Sequence, residues 1–404
     1  MAAFGRSMLA HWWLAPDILY LNHGTVGATP RVVLERQHEL QREIERQPAR
    51  FLTRELMRWL PDDPPEAHVA TLRRPLLRAA ADSVAAFLGV RGEDLVFVAN
   101  ASAGINAVLR SLPLAEGDEI VVLDQAYGAV AKTAAWVATE RGAHVVTVAT
   151  PFPVEGDPTQ AYADAVGRAL GPRTRIAVLD HVVSETALVL PLAAMAARCR
   201  ARGVPVLVDG AHAPAAIDLD IAALGVDFYV GNLHKWAFAP RPCAVLWAAP
   251  DRRERLHPTV ISWGLGNGLA QEFDWPGTPD PTPALAAPAG LAFLREVLGV
   301  EAMRRWNHDL VWRAAHALAA RWGQHWAVPE AMVGCMATVP LPERLQVLGP
   351  EAAPRLKDWL LYERQIEAQV LAIRGRLHVR LAAQVYNDER DYEALAEAVD
   401  AWPA

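Results

Sequence analysis

Seven apolar, strand-like runs, spaced by helix-length segments, dominate the middle of this 404-residue chain. They are Asp94–Val98, Glu119–Leu123, Ala143–Val148, Arg175–Leu179, Val204–Val208, Val226–Val230 and Ala244–Trp247. Helical periodicity fills several of the gaps, at Ser102–Leu112, on to Trp136 after the second run, at Tyr162–Leu170 and at Leu192–Arg202. Short runs this apolar are buried on both faces. Helices crossing between them make an α/β fold with a mostly parallel central sheet and helices on both faces. An open parallel sheet puts its ligand crevice at the carboxyl ends of its strands. The residues that follow each run are therefore the first candidates for chemistry.

Two of those ends deliver charge. Val206–Val208 leads into Asp209, Gly210, Ala211 and His212, and Val226–Val230 leads into Gly231, Asn232, Leu233, His234 and Lys235. One lysine and one carboxylate at neighbouring strand ends suit a pyridine cofactor that carries an aldehyde. The amine binds its aldehyde as a Schiff base and the carboxylate pairs with its ring nitrogen. A lysine nucleophile must shed its proton, which the apolar neighbours Tyr229, Trp236 and Phe238 favour. An ionised carboxylate at a buried strand end is costly unless paired, and a pyridinium N–H would pair it. Taken singly, Lys235 also reads as a surface lysine and Asp209 as a helix N-cap. Their joint placement is what points to chemistry. His212 faces either the phenolic oxygen and imine of such a ring or simply the core.

Further candidates follow other runs. Asn100–Asn106 opens a helix after the first run, so the backbone at Ala101 and Ser102 and the Ser102 hydroxyl form a phosphate cradle, or an ordinary cap. Tyr127 follows the second run and stacks on a flat ring, or serves the core or surface. Residues 264–288 are rich in Gly and Pro and read as a long loop, in which Thr278 beside Gly277 is either a phosphate contact or part of a turn. Arg380, on the late run Leu377–Leu381, offers forked donors that match a substrate carboxylate. Asn22, His23 and Gly24 close an irregular N-terminal arm where the backbone passes close to something.

The length allows about two domains. The expected division is an arm at 1–30, a large α/β domain at 31–285 and a small C-terminal α+β domain at 286–404, with strands near Met332–Val339 and Leu377–Ala382. Residues 31–60 carry helical periodicity and a proline-rich break follows at Pro61–Pro65. A net charge of -7 argues against a nucleic-acid partner, and no apolar run reaches membrane-span length, so no membrane partner is expected. The cysteines Cys199, Cys243 and Cys335 are odd in number and far apart. They suit neither a disulfide framework nor a metal site, and a reducing, cytoplasmic setting is expected. Asn100–Asn106 lacks the G-x-G-x-x-G turn of a nucleotide-binding Rossmann protein.

In this order, these residues resemble the class V aminotransferases, pyridoxal-phosphate enzymes of fold type I, and among them the isopenicillin N epimerase-like branch. Leu21–Gly24, Asn100–Asn106, Asp209–His212, Gly231–Trp236, Gly277–Asp280 and Arg380–Asn387 carry the likeness, which spans nearly the whole chain. The resemblance implies that Lys235 holds the cofactor and acts as base at Cα, that Asp209 holds the ring nitrogen, that His212 faces the ring oxygen and that Tyr127 stacks on the ring. It places Ala101, Ser102, Asn232 and His234 at the phosphate or its approach. Thr278 would reach the phosphate of a neighbouring subunit, making a homodimer with its active sites at the interface. Arg380 would clamp a substrate carboxylate, and Asn22, His23 and Gly24 would line the substrate mouth. There are departures: Ala101 and Ala382 stand where the family often has Ser or Thr, and Gln125 where His is common. Cysteine desulfurases of the superfamily carry a nucleophilic cysteine shortly before the arginine. Tyr362–Gln369 holds none and Cys335 lies too early. The implied activity is epimerisation of a small amino-acid-type substrate, with C–S/β-lyase or transaminase chemistry as alternatives and a non-catalytic cofactor-binding regulator as the rival from another class. Tyr127 and His23 are the candidates for a second acid or base.

Overall fold

The computed structural model describes residues 4–57, 74–154 and 156–403. The proline-rich break and the last residues of the helical segment 31–60 lie outside them. The strands in chain order are β1 (Leu19–Tyr20), β2 (Leu95–Val98), β3 (Glu119–Leu123), β4 (His144–Val148), β5 (Thr174–Asp180), β6 (Val206–Asp209), β7 (Phe228–Asn232), β8 (Ala244–Ala248), β9 (Met336–Pro340), β10 (Ile366–Glu367), β11 (Gln369–Ile373) and β12 (Arg376–Ala382). Seven of them form one sheet in the order β2-β8-β7-β6-β5-β3-β4. β3 to β7 pair in parallel. β8 runs antiparallel to both β7 and β2, because the short link at 233–243 carries no crossover helix to return the chain in parallel.

Strict alternation along the strands sends successive side chains to opposite faces. Ala177, Leu179, Val206, Val208 and Tyr229 join one apolar cluster. Their chain neighbours Ile176, Val178, Leu207, Phe228 and Val230 join another. The helices Pro158–Ala169 and Leu192–Arg200 cover the first face with Tyr162, Val166, Met195 and Cys199. Ala101–Ser111 and Gly128–Arg141 cover the second with Ile105, Val108, Val130 and Val137. Both faces are thus sealed, as the apolar runs imply.

A C-terminal α+β unit follows the helix Val300–Arg321. Its antiparallel sheet β11-β12-β9 packs with the helices Ala352–Arg364 and Glu389–Asp400 around Val339, Leu360, Val379 and Leu395. Asp388 and Asp391 start the last helix with a reciprocal capping box. No single described helix is long and apolar enough to cross a membrane.

Two expectations are corrected. Residues 264–288 are not one loop, since they contain the helices Leu269–Asp274 and the start of Thr282–Ala292. Pro283 falls in a first turn, where no N–H is needed, and alanines fill the rest. Ala286 packs with Leu40, Phe51 and Leu77, so position 285 falls inside a helix that lies on the large unit. The arm is not irregular either. It forms a 3-10 turn at Arg6–His11, pairs β1 in parallel with β10, and ends in the helical turn His23–Val26. Through it Trp12 joins the main cluster and Leu21 the C-terminal one.

Candidate active site

A cavity of about 450 Å³ opens at the carboxyl ends of the parallel strands, and it brings Asp209, His212, Asn232, His234 and Lys235 together. Gly24, Ala101, Ser102, Tyr127 and Arg380 also line it. β6 ends on Asp209, paired with Val230, and β7 ends two residues later on Asn232, so neighbouring parallel strands deliver both residues to the same edge of the sheet.

Lys235 is the centre. Its Nζ lies 3.1 Å from His212 Nε2. Burial pushes the ammonium down to about 7, with Arg380 adding to the effect and Asp209 opposing it. His212 is held neutral, well below the usual range, by burial first and then by Lys235. With Nζ donating to Nε2, the imidazole proton sits on Nδ1, and that atom is buried without a partner. A buried donor with no acceptor marks a place for a ligand oxygen. Asp209 Oδ1 accepts from the Ala211 N–H at 3.0 Å. Burial raises its carboxyl, while the Ala211 N–H and Lys235 pull it down.

The start of the helix Ala101–Ser111 also borders the cavity. Asn100 caps the helix Ala101–Ser111, its side chain accepting from the Ala103 N–H at 2.9 Å. The Ala101 N–H is spent on Asn232 Oδ1 at 2.9 Å, so Ala101 offers a ligand no donor. Asn232 Oδ1 thereby braces the helix start, and Asn232 also lines the cavity. The Ser102 N–H has no partner among the described residues, which leaves it and the Ser102 hydroxyl at the cavity. The helix approaches β7 closely, since a Cβ on Gly104 would stand 2.7 Å from Val230 Cγ1. His234 Nδ1 is bonded to the Cys243 carbonyl at 2.7 Å, and burial lowers it to about 4.

Arg380 crosses from β12. It donates to the Ser184 carbonyl at 2.6 Å, Thr25 Oγ1 at 2.8 Å and Asn22 Oδ1 at 3.3 Å, while its Nε is buried and unpaired. Burial lowers it to about 10, so it stays a cation at neutral pH. Asn22 thus holds Arg380 in place and does not line the cavity. Gly24 does, packed so tightly that a Cβ would reach 2.3 Å from Met336 Sδ.

His23 corrects its expected place at the mouth. It is 1% exposed, and its ring lies against Trp236 with centroids 4.9 Å apart. Its Nε2–H donates to the Lys235 carbonyl at 3.0 Å, and Nδ1 accepts from the Tyr386 hydroxyl at 2.8 Å. Thr278 is exposed and stands outside this chain's cavity. Cys335 is elsewhere too. It donates to the Ala216 carbonyl at 3.2 Å, and burial pushes its thiol up to about 12.

Asp180, Ser184, Thr25 and Gln369 line the cavity without having been singled out. Only Asp180 left a signal. It follows the apolar run of β5 as Asp209 follows that of β6. Among the described residues no cluster of His, Cys, Asp or Glu could hold a metal ion. The donor set fits a ring with an anionic tail: a near-neutral amine, a buried carboxylate, an orphaned imidazole donor and a helix N-terminus.

Known proteins are similar to this chain over most of its length. Isopenicillin N epimerase of Streptomyces clavuligerus is 34% identical over 96% of each chain. L-cysteine desulfhydrase of Arabidopsis thaliana is 31% identical, covering 94% of this chain and 86% of that one. The structure of the cystine C–S lyase C-DES with cysteine persulfide superposes with a TM-score of 0.77, covering 99% of this chain and 100% of that one at 22% identity, a likeness of fold. Residues 68–339 match the model of the family described as aminotransferase class-V. The chain belongs to the class-V aminotransferase family.

Proposed function

We propose that the chain binds pyridoxal 5'-phosphate at Lys235 and acts at the α-carbon of an amino-acid-type substrate, as an epimerase of the isopenicillin N epimerase-like kind. One observation carries the cofactor site: the buried Lys235 amine lies 3.1 Å from His212 in a cavity it shares with Asp209, and burial lowers that amine to about 7. Asp209 would face the ring nitrogen, the orphaned His212 Nδ1–H the ring oxygen and Tyr127 the ring. Ser102 and the helix start would hold the phosphate, with Asn232 and His234 bracing it. Bound there, the cofactor supplies an aldehyde for an amine and a ring that takes up the electron pair left when a bond at Cα breaks. Lys235 Nζ, freed by the substrate amine, takes the Cα proton, and its lowered pKa keeps it a base at neutral pH. Arg380 fixes the substrate carboxylate and so aims Cα at Nζ.

A second reading, elimination at Cβ as in a C–S lyase, has its own support. Epimerisation needs a proton donor on the face opposite Lys235. His23 is sealed away, which leaves the Tyr127 phenol as the candidate. Elimination needs no second base. The desulfhydrase relatives lean the same way.

The assembly we propose is a homodimer, in which Thr278 of one subunit serves the phosphate in the other. Its exposed position outside its own cavity supports this, as does the nearby run of exposed Val260, Ile261, Trp263 and Leu265. Three free buried thiols support a cytoplasmic setting.

Borohydride reduction of the loaded protein should leave a pyridoxyl group on Lys235, read by peptide mass spectrometry. Label elsewhere or nowhere refutes the cofactor site. Incubation with L-amino acids in heavy water then separates the reactions. Deuterated D-isomer means epimerisation, and keto acid with ammonia and sulfide means elimination.

A further inference from the structure

The cavity holds a second carboxyl that the chemistry above leaves without a task. Asp180 ends β5 as Asp209 ends β6, and the two are direct partners in the parallel register. Partners on neighbouring strands project to the same face, with strands about 4.8 Å apart. Both carboxyls line the cavity, at 2% and 4% exposure.

Little positive charge stands against them. His181, next on the same chain, is neutral and bonded to the Tyr229 hydroxyl at 2.9 Å. From β6 come Asp209 itself and neutral His212, and from beyond β7 come neutral His234 and the half-titrated Lys235. Arg380, from β12, is engaged by Ser184 and Thr25. Over the end of β3 the Tyr127 backbone N–H faces Asp180. Among the described residues no Lys, Arg or His forms an ion pair with either carboxyl. Two carboxylates side by side in a buried site do not both ionise at neutral pH, and one proton is kept between them.

We propose that Asp180 holds a proton at neutral pH and shares it with Asp209, so that the pair presents one negative charge and Asp209 is the ionised member. Asp180 is then a positioning residue for the carboxylate that, on the function proposed above, meets the cofactor's ring nitrogen. One ring N–H cation is matched by one negative charge instead of two. Burial, and then the charge on Asp209, drive the Asp180 carboxyl well above the usual range, with the Tyr127 N–H opposing. Raising the pH drives the shared proton to solvent, and the pair then carries two charges.

Infrared difference spectroscopy of the wild type against Asp180→Asn tests this at pH 7, with Asp180→Ala as the substitute if the amide variant does not fold. A protonated-acid C=O band should be present in the wild type, absent in the variant, and should fade as pH is raised. No such band overturns the proposal. The measurement works on the protein without cofactor, so it stands apart from the cofactor assignment, which a wild type that never takes up pyridoxal 5'-phosphate would refute instead. The loaded proteins give a second reading, because the amide imitates the protonated acid. Asp180→Asn should keep the cofactor dissociation constant within about twofold, whereas Asp209→Asn should raise it more than about tenfold. Equal losses in both variants would make Asp180 an ionised partner and overturn the proposal.

Discussion

Lys235 owes its chemistry to burial. An amine lowered from 10.5 to about 7 is half unprotonated at neutral pH, and only the unprotonated form attacks an aldehyde. The rate of pyridoxal 5'-phosphate uptake should therefore rise with pH through about 7 and then level off, as followed by stopped-flow absorbance. A flat profile, or uptake by Lys235→Ala, would sink the assignment. Behind Lys235, His23 holds the lysine's own carbonyl. His23→Ala strands that carbonyl and the Tyr386 hydroxyl in the core, at a cost of about 1–3 kcal/mol in urea unfolding. His23, His181 and His234 all titrate near 4 because burial disfavours their cations. Their folded pKa values lie below the unfolded value of 6.5. Their share of stability is therefore complete above pH 6.5 and is lost as pH falls through about 4. The unfolding free energy should decline across that window, less steeply in His23→Ala. Asp209 and Lys235 were legible because each closely follows an apolar run. His23 was not, since its partners Tyr386 and Lys235 lie far along the chain and no local pattern records them.

Among elements, the helix Ala101–Ser111 and β7 form the working unit. Asn232 ties the two together at the helix start, and Gly104 lets the helix lie against Val230. Gly104→Val would drive a branched side chain into that contact, lift the helix and cost about 1–3 kcal/mol. Cofactor phosphate should then be held less well than the ring. Equilibrium dialysis should show a raised dissociation constant for pyridoxal 5'-phosphate, and uptake of unphosphorylated pyridoxal should change little. Equal loss of both would show that the helix does not hold the phosphate. The parallel strands were legible because their apolar runs are continuous. The helix Thr282–Ala292 was not, since Pro283, Pro288 and Gly290 are residues of low helix propensity that mask its alanines. Nor were β10 and β11. β10 is only two residues long and is specified by pairing with β1, and β11 by pairing with Arg376–Ala382, rather than by its own pattern.

At the scale of the molecule, the sheet was legible from periodicity because two faces demand two cores. The join between arm, large unit and C-terminal unit was not, because its partners lie hundreds of residues apart in the chain, as in the pairing of β1 with β10 and the Gly5 N–H to the Val385 carbonyl. Assembly is the one level that a single chain leaves exposed. Val260, Ile261, Trp263 and Leu265 are all more than half exposed, with Trp263 at 77%. So many apolar side chains within six positions make a patch that a second subunit would cover, at about 25 cal/mol per Å² buried. Thr278 stands on the next stretch of loop, outside its own cavity. The two features predict linked behaviour. Light scattering of the wild type should give twice 44.1 kDa, and Trp263→Asp should move the mass toward the single chain and loosen the cofactor. Thr278→Ala should loosen the cofactor with the mass unchanged, because on the proposed assembly it would remove a phosphate contact and no apolar surface. A wild type that stays a single chain at micromolar concentration while holding its cofactor would end the shared-site proposal. A Trp263→Asp monomer with full cofactor affinity would show that each cavity is complete in one chain.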